Sequence, residues 1–164
     1  MGLEIEHKFL VRSADWRRDV TRSCRFRQGY LGDSPAASVR VRIEGESANL
    51  NVKGMTIGVQ RPEFEYPIPL ADADALLDQL CRKPLIEKIR HFVPFEGHVW
   101  EVDEFLGDNA GLVVAEIELE TIGETFALPP WAGAEVSGLE RYYNVSLVTY
   151  PYRDWCTAEQ AGHG

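Results

Sequence analysis

The sequence is poor in the features that usually announce a partner. It holds only three cysteines, Cys24, Cys81 and Cys156. They are too few and too scattered for a metal knuckle or a disulfide framework, which fits a reducing cytoplasm. No apolar run approaches the ~20 residues that a membrane helix requires, and no basic stretch is followed by an apolar one of the kind that directs export. Neither a membrane partner nor secretion is therefore expected. Runs of lysine and arginine are also missing, and the net charge is −9. A protein that grips duplex nucleic acid usually neutralises phosphates with a basic patch, so a nucleic-acid partner is not expected either. An acidic total still leaves room for a small phosphate ligand held by a local cluster of bases. Repeats of solenoid length and low-complexity segments are absent too, and the final "TAEQAGHG" reads as a loose tail.

What the chain does have is alternation. Its 164 residues, 45% of them hydrophobic, suit one domain around one sizeable core. Period-2 patterning predicts strands near 2–10, 24–31, 37–44, 48–53, 60–68, 86–94, 98–105 and 112–120. Turn signals separate several of them, among them Gly32-Asp33-Ser34-Pro35, Glu44-Gly45-Glu46-Ser47, Glu96-Gly97 and Gly107-Asp108-Asn109. In "ADADALLDQLCRK" the apolar residues Ala73, Leu76, Leu77, Leu80 and Cys81 recur at helical spacing, with Asp72 or Asp74 suited to the N-terminus. Shorter helices are expected near 13–20 and 139–147, and Pro129-Pro130 should break the chain after the last strong strand. Roughly eight strands with short connections point to a sandwich or a barrel.

The polar side of these strands is unusual. Glu4, Glu6 and Lys8 alternate with apolar neighbours in "GLEIEHKFLV"; Arg40 and Arg42 flank Val41; Asn49, Asn51 and Lys53 share a face; Glu63 and Glu65 flank Phe64. Lys88 and Arg90 flank Ile89, Glu101 and Asp103 flank Val102, and Glu116, Glu118 and Glu120 alternate with Ile117 and Leu119. For any one strand, a solvated outer face explains such charges. Across the whole set that explanation strains, because like charges two residues apart repel and cross-strand pairing relieves only part of the repulsion. The alternative is a closed sheet with its charged face turned inward around a wet bore and its apolar face covered from outside. Carboxylates on one part of such a wall would hold a hard divalent cation, and bases on another part would grip phosphate oxygens.

The same residues carry a resemblance. "EIEHK" is similar to the E-x-E-x-K signature of the CYTH family, the triphosphate tunnel metalloenzymes. The rest follows in order: "QGYL" at 28–31, "RVR" at 40–42, Lys53, "EFE" at 63–65, "EKIR" at 87–90, "VWEVDEF" at 99–105, "AEIELE" at 115–120 and "RYYN" at 141–144. The resemblance covers residues 2–150. It implies a mainly β (α+β) fold, an eight-stranded antiparallel closed barrel with a charged lumen and a few helices outside. It also implies a tunnel domain over 1–150 and a tail over 151–164.

Roles transfer position by position as expectations. Glu4, Glu6, Asp103, Glu116 and Glu118 match the family's metal-binding acids, for Mg²⁺ or Mn²⁺. Lys8, Arg40, Arg42, Lys53, Lys88 and Arg90 match its phosphate-binding bases. Tyr30 matches a tyrosine that works with a lysine, here Lys53, to activate water; Glu63 and Glu65 match a supporting pair. Arg61 and Glu120 share the lumen parity but read as rim residues. The implied activity is hydrolysis of inorganic triphosphate to pyrophosphate and phosphate in the cytoplasm, on a small substrate, with a homodimer left open. Class IV adenylyl cyclase, nucleoside triphosphatase or thiamine triphosphatase activity, or a barrel that binds polyphosphate without cleaving it, would use the same tunnel. His7, His91 and His98 fall on the apolar side and read as packing residues, as do Trp100, Trp131 and Trp155.

Overall fold

The computed structural model describes residues 2–32 and 34–162, so Asp33 of the first turn and the last residues of the tail lie outside the described residues. The eight expected strands all form: β1 (Gly2–Val11), β2 (Arg22–Leu31), β3 (Ala37–Glu44), β4 (Ser47–Gly54), β5 (Gln60–Pro67), β6 (Ile86–Phe95), β7 (His98–Phe105) and β8 (Val113–Leu119). A further short strand, β9 (Ala132–Glu135), follows the Pro129-Pro130 break. The antiparallel order is β5-β4-β3-β2-β6-β7-β8-β1, and β1 closes the sheet by pairing with β5. The sheet is therefore a barrel with no free edge along most of its length. At the closure β1 changes partner: residues 2–5 pair with β5, whereas Phe9 and Val11 pair with β9.

Closure sets which face looks inward. Once β1–β8 register places Glu6 opposite Glu118 and Lys8 opposite Glu116, the alternate residues Ile5, Phe9, Ala115 and Ile117 must point out. There they form a core with Val93, Trp100 and Val102, covered by Trp16 from a 3-10 turn (Asp15–Asp19) and by Trp131 and Phe126 from the chain before β9. Phe9 and Trp100 meet edge to face at 5.4 Å between centroids, and Trp100 meets Trp131 at 5.6 Å. On the other side of the barrel the helix α1 (Leu70–Gln79) lays Ala73 and Leu77 over Val41, Ala48 and Cys81. Gly29 permits this close packing, since a Cβ there would lie 2.8 Å from both Cys81 Cβ and Leu85 Cδ2. The hydrophobic interior of this protein is thus outside its sheet.

Two short helices, α2 (Ser146–Thr149) and α3 (Thr157–Gln160), complete the chain; among the described residues no helix is long and apolar enough to cross a membrane. Residues 157–160, expected as loose tail, form a helical turn in which Glu159 accepts a hydrogen bond from Cys156 N at 2.9 Å and from Tyr150 at 2.7 Å. Just before it, Trp155 is buried against Tyr142 and Tyr152 and joins a third core with Phe105, Val114 and Leu147. That core lies at the far ends of β7 and β8, so the segment after residue 136 is anchored by its aromatic residues. Trp155→Ala should lower unfolding free energy by about 3–5 kcal/mol in a urea titration. A midpoint within error of the parent would show that the segment is not part of the cooperative unit.

Candidate active site

Inside the barrel lies a cavity of about 320 Å³ whose lining is almost wholly polar or charged. Of the residues expected to work in the site, Glu4, Glu6, Lys8, Tyr30, Arg40, Arg42, Lys53, Glu63, Glu65, Lys88, Arg90, Glu116 and Glu118 all line it. Asp103 does not. It is fully buried, with Oδ2 accepting from Lys88 Nζ at 2.6 Å and from Arg90 Nη2 at 2.8 Å, and Oδ1 accepting from Arg90 Nε at 2.7 Å. Glu101, two residues earlier on the same face, lines the cavity and pairs with Arg90 Nη1. Arg61, expected at the rim, also reaches in and donates to Glu4 at 2.6 Å. His7, His91 and His98 lie on the outer face as expected: His7 against Glu135 and Phe126, His91 against Trp16, and His98 against Glu124.

The sequence patterns also left some contributors unmarked. Gln28 is fully buried; its Oε1 accepts from Arg42 Nε at 2.9 Å and its Nε2 donates to Asn144 Oδ1 at 3.0 Å. Asn144 Oδ1 accepts from Lys88 as well, at 2.9 Å, so the chain after β9 reaches the bases directly. Lys8 donates to Tyr142 O at 3.3 Å and lies 5.7 Å from the Tyr143 ring centroid. Asn51 donates to Glu63 at 2.5 Å and to Glu65 at 3.1 Å, which explains how those two carboxylates are held. A neutral Gln on lumen parity gives no charge signal, which leaves Gln28 unmarked, whereas Asn51 already stands on the polar face beside Lys53.

Most acids and bases neutralise each other, and the exceptions define the site. Lys53 donates to Glu4 at 2.6 Å, and Glu116 pairs with Lys8 at 3.3 Å and Arg90 at 2.9 Å. Despite the cost of burial, Lys8 and Arg90 hold Glu116 well below the usual carboxylate range, while Asp103 is likewise lowered by Arg90 and Lys88. Glu6 and Glu118, directly opposite each other, make no ion pair among the described residues. Burial, then Glu116 and Glu4, push the Glu6 carboxyl up to about 8; burial, then Glu4, Glu101 and Glu63, raise Glu118. Among the buried bases the exception is Arg40. It is 7% exposed, its Nε has no hydrogen-bond partner, and no carboxylate pairs with it among the described residues. Burial, then Arg42, bring its guanidinium down to about 10. Lys88, fully buried with Arg90 and Arg42 nearby, is pushed down to about 7. The bore therefore holds unmet demand for a cation on one wall and for an anion on another.

A second polarity runs along the axis. One end is formed by the first residues of β1, β2, β4 and β7 and the last residues of β3, β5, β6 and β8. There the lining residues Arg22, Glu65 and Glu118 are exposed and Glu44 and Glu101 partly so. Towards the other end the lining is buried and basic, with Lys8, Arg40, Lys53 and Lys88, and residues 142–145 cross it. A second cavity of about 320 Å³ lies beyond, sharing Tyr30, Ser38, Arg61, Tyr143 and Val145 with the bore.

A closed antiparallel barrel with an acid-and-base bore, aliphatic and aromatic residues outside, is the architecture of a tunnel protein. The model of the CYTH domain matches residues 2–149, and the chain belongs to the CYTH family. It is 48% identical over 155 residues to an inorganic triphosphatase of Acetivibrio thermocellus, covering 94% of this chain and 99% of that one. It is 32% identical over 149 residues to an inorganic triphosphatase of Nitrosomonas europaea, covering 88% and 95%. Among solved structures, a crystal structure of an inorganic triphosphatase superposes with a TM-score of 0.65 at 29% identity, covering 90% of this chain and 95% of that one.

Proposed function

We propose that this protein hydrolyses inorganic triphosphate to pyrophosphate and phosphate inside its tunnel, with a divalent cation, Mg²⁺ or Mn²⁺. The observation that carries the reading is the pairing of opposites left unsatisfied: a buried Arg40 guanidinium with no acid, and a Glu6–Glu118 pair with no base. A ligand carrying both signs answers both. The likeness over most of this chain to two inorganic triphosphatases supports the same substrate.

The donor set fits a hard cation, because every acid facing the bore offers carboxylate oxygen only. Among the described residues no three such groups converge tightly enough to hold an ion as they stand, Glu4 and Glu116 being occupied by bases. We assign Glu4, Glu6, Glu116 and Glu118 to the cation, with Glu101 in the place expected for Asp103. Asp103 instead stands behind the bases and sets the directions of Lys88 and Arg90. When bound, the cation would draw charge from phosphate oxygens and make a coordinated water more acidic.

Cleaving a phosphoanhydride asks mainly for positioning and charge neutralisation. Arg40 and Arg42 offer forked donors; Gln28 takes the Nε of Arg42 and Glu44 accepts from its Nη1 at 3.2 Å, which leaves Nη2 for phosphate oxygen. Lys8, Lys53, Lys88 and Arg90 complete the basic wall. An arriving triphosphate would also favour the protonated form of Lys88. Tyr30, 5% exposed and cross-strand from Arg40, is the group we assign to orient the attacking water, together with Lys53. Tyr30→Phe should lower kcat by about 10²-fold while leaving triphosphate affinity close to the parent value. Equal turnover at saturating substrate would remove Tyr30 from the chemistry.

Phosphate release from a panel of inorganic triphosphate, ATP and thiamine triphosphate, with and without chelator, tests the reading as a whole. Inorganic triphosphate should be the preferred substrate and chelator should stop the reaction. Dominant formation of cyclic AMP from ATP would overturn it. We place the activity in the cytoplasm, in keeping with cysteines that are all free.

A further inference from the structure

The exposed end of the bore presents a problem for the proposed substrate. Its lumen-facing acids are Glu44, Glu65, Glu101 and Glu118, of which Glu44 is paired with Arg42 and Glu101 with Arg90, around an opening through which a polyanion would have to pass. One base stands among them. Arg22, the first residue of β2, lines the cavity, and its guanidinium carbon lies 3.9 Å from the Phe92 ring centroid. Register explains the contact, since Arg22 and Phe92 are cross-strand partners on the inner face. Among the described residues Arg22 makes no ion pair, although Glu101, paired across the sheet with Phe92, is close by along the wall.

This arrangement differs from that of most other surface arginines; the exposed Arg12 also lacks an acid, but its Nε donates to Ala132 O at 2.8 Å. Arg17, Arg18, Arg25, Arg27 and Arg153 each hold an acid on the outer surface. Arg22 has no such acid and sits over an aromatic ring, which limits its rotamers while leaving its donors uncommitted. A preset, unneutralised guanidinium at an acidic opening is a capture group for anions.

We propose that the exposed end is the entrance and that Arg22 is a specificity-determining residue there. It makes the first contact with triphosphate and hands it to Arg40 and Arg42 within, while the surrounding acids repel anions that arrive without a bound cation. The proposal rests on the triphosphatase reading and adds to it a route and a filter. Attraction by a single charge at an opening acts on the rate of arrival more than on the chemical step.

The test combines steady-state phosphate release over a salt series with calorimetric binding of inorganic triphosphate to the full chain in the presence of Ca²⁺, Mg²⁺ or Mn²⁺. Arg22→Gln should lower kcat/KM about tenfold at low ionic strength, with kcat retained. The gap should narrow as salt is added, because exposed charges are screened. Phe92→Leu, which removes the platform but keeps the charge, should produce a smaller loss of the same kind. Glu65→Gln, at an exposed acid of the opening that makes no ion pair among the described residues, should raise kcat/KM and relax the preference for cation-loaded substrate. An Arg22→Gln protein with unchanged kcat/KM at low salt would overturn the proposal and point to entry through the second cavity. A fall in kcat with KM unchanged would overturn it too, by placing Arg22 in the chemistry. Wild-type protein that binds no triphosphate in the calorimeter would instead bring down the triphosphatase reading, and this proposal with it.

Discussion

Arg40→Met should make the protein more stable and nearly inactive. The guanidinium is desolvated and lacks a compensating acid, so replacing it with an apolar chain of similar length removes a standing electrostatic cost. Exchanges of buried charges for apolar groups have stabilised other proteins by about 1–4 kcal/mol, and a gain in that range would raise the melting temperature by several degrees. The same change removes a forked donor where negative charge concentrates during cleavage, which should lower kcat by about 10²–10³-fold. Arg40→Lys separates the two effects, since it keeps the charge and loses the fork. Thermal melting together with phosphate release decides the matter. A variant that melts lower than the parent and still turns over would mean that Arg40 serves the fold rather than the ligand.

Glu6→Gln should change how stability depends on pH. In the folded chain Glu6 keeps its proton to about pH 8, whereas in the unfolded chain it loses it near the ordinary value of 4.5. Between those limits the folded state binds more protons, so this group's contribution makes stability fall as pH rises through the window and level off above it. The amide cannot ionise. The variant should match the parent near pH 4 and exceed it by about 2–4 kcal/mol near pH 8. Cation binding should invert the ranking, because an ion that binds only the folded state stabilises it by mass action and the variant has lost a ligand. Urea unfolding at the two pH values, with and without Mn²⁺, reads both effects. A difference between variant and parent that stays constant across pH would show that Glu6 is not held protonated in the apo protein.

The strands were legible because their alternation is strict and their turns carry glycine or proline. Inward direction was legible only from the whole set, since Glu4–Glu6 or Arg40–Arg42 alone suits a solvated face equally well. What escaped the sequence has identifiable causes. The strand Ala132–Glu135 is short, and "AGAE" shows no alternation of large apolar and charged residues that could mark it. Its pairing depends on β1 being left without β5 beyond residue 5. Glu101 and Asp103 have identical parity, so only register could tell them apart. Arg90 is paired with Asp103 across β6 and β7, which draws Asp103 into the wall and leaves Glu101 facing the bore. The helical turn at Thr157–Gln160 depends on Glu159 bonding Cys156 and Tyr150, too local and too polar to register as periodicity.

The change of partner along β1 bears on how the chain reaches this state. Its first residues wait for Gln60–Glu63, and its later ones for residues 114–119 and 132–135, which emerge from the ribosome long after it. Pairings so distant in sequence are slow to form. Until they do, both edges of the N-terminal strand stay open, with Phe9 and Ile5 uncovered. Synthesis at reduced temperature should accordingly raise the yield of monodisperse protein, because the strand that carries Glu4, Glu6 and Lys8 cannot complete its pairing before residues 114–119 and 132–135 have been made.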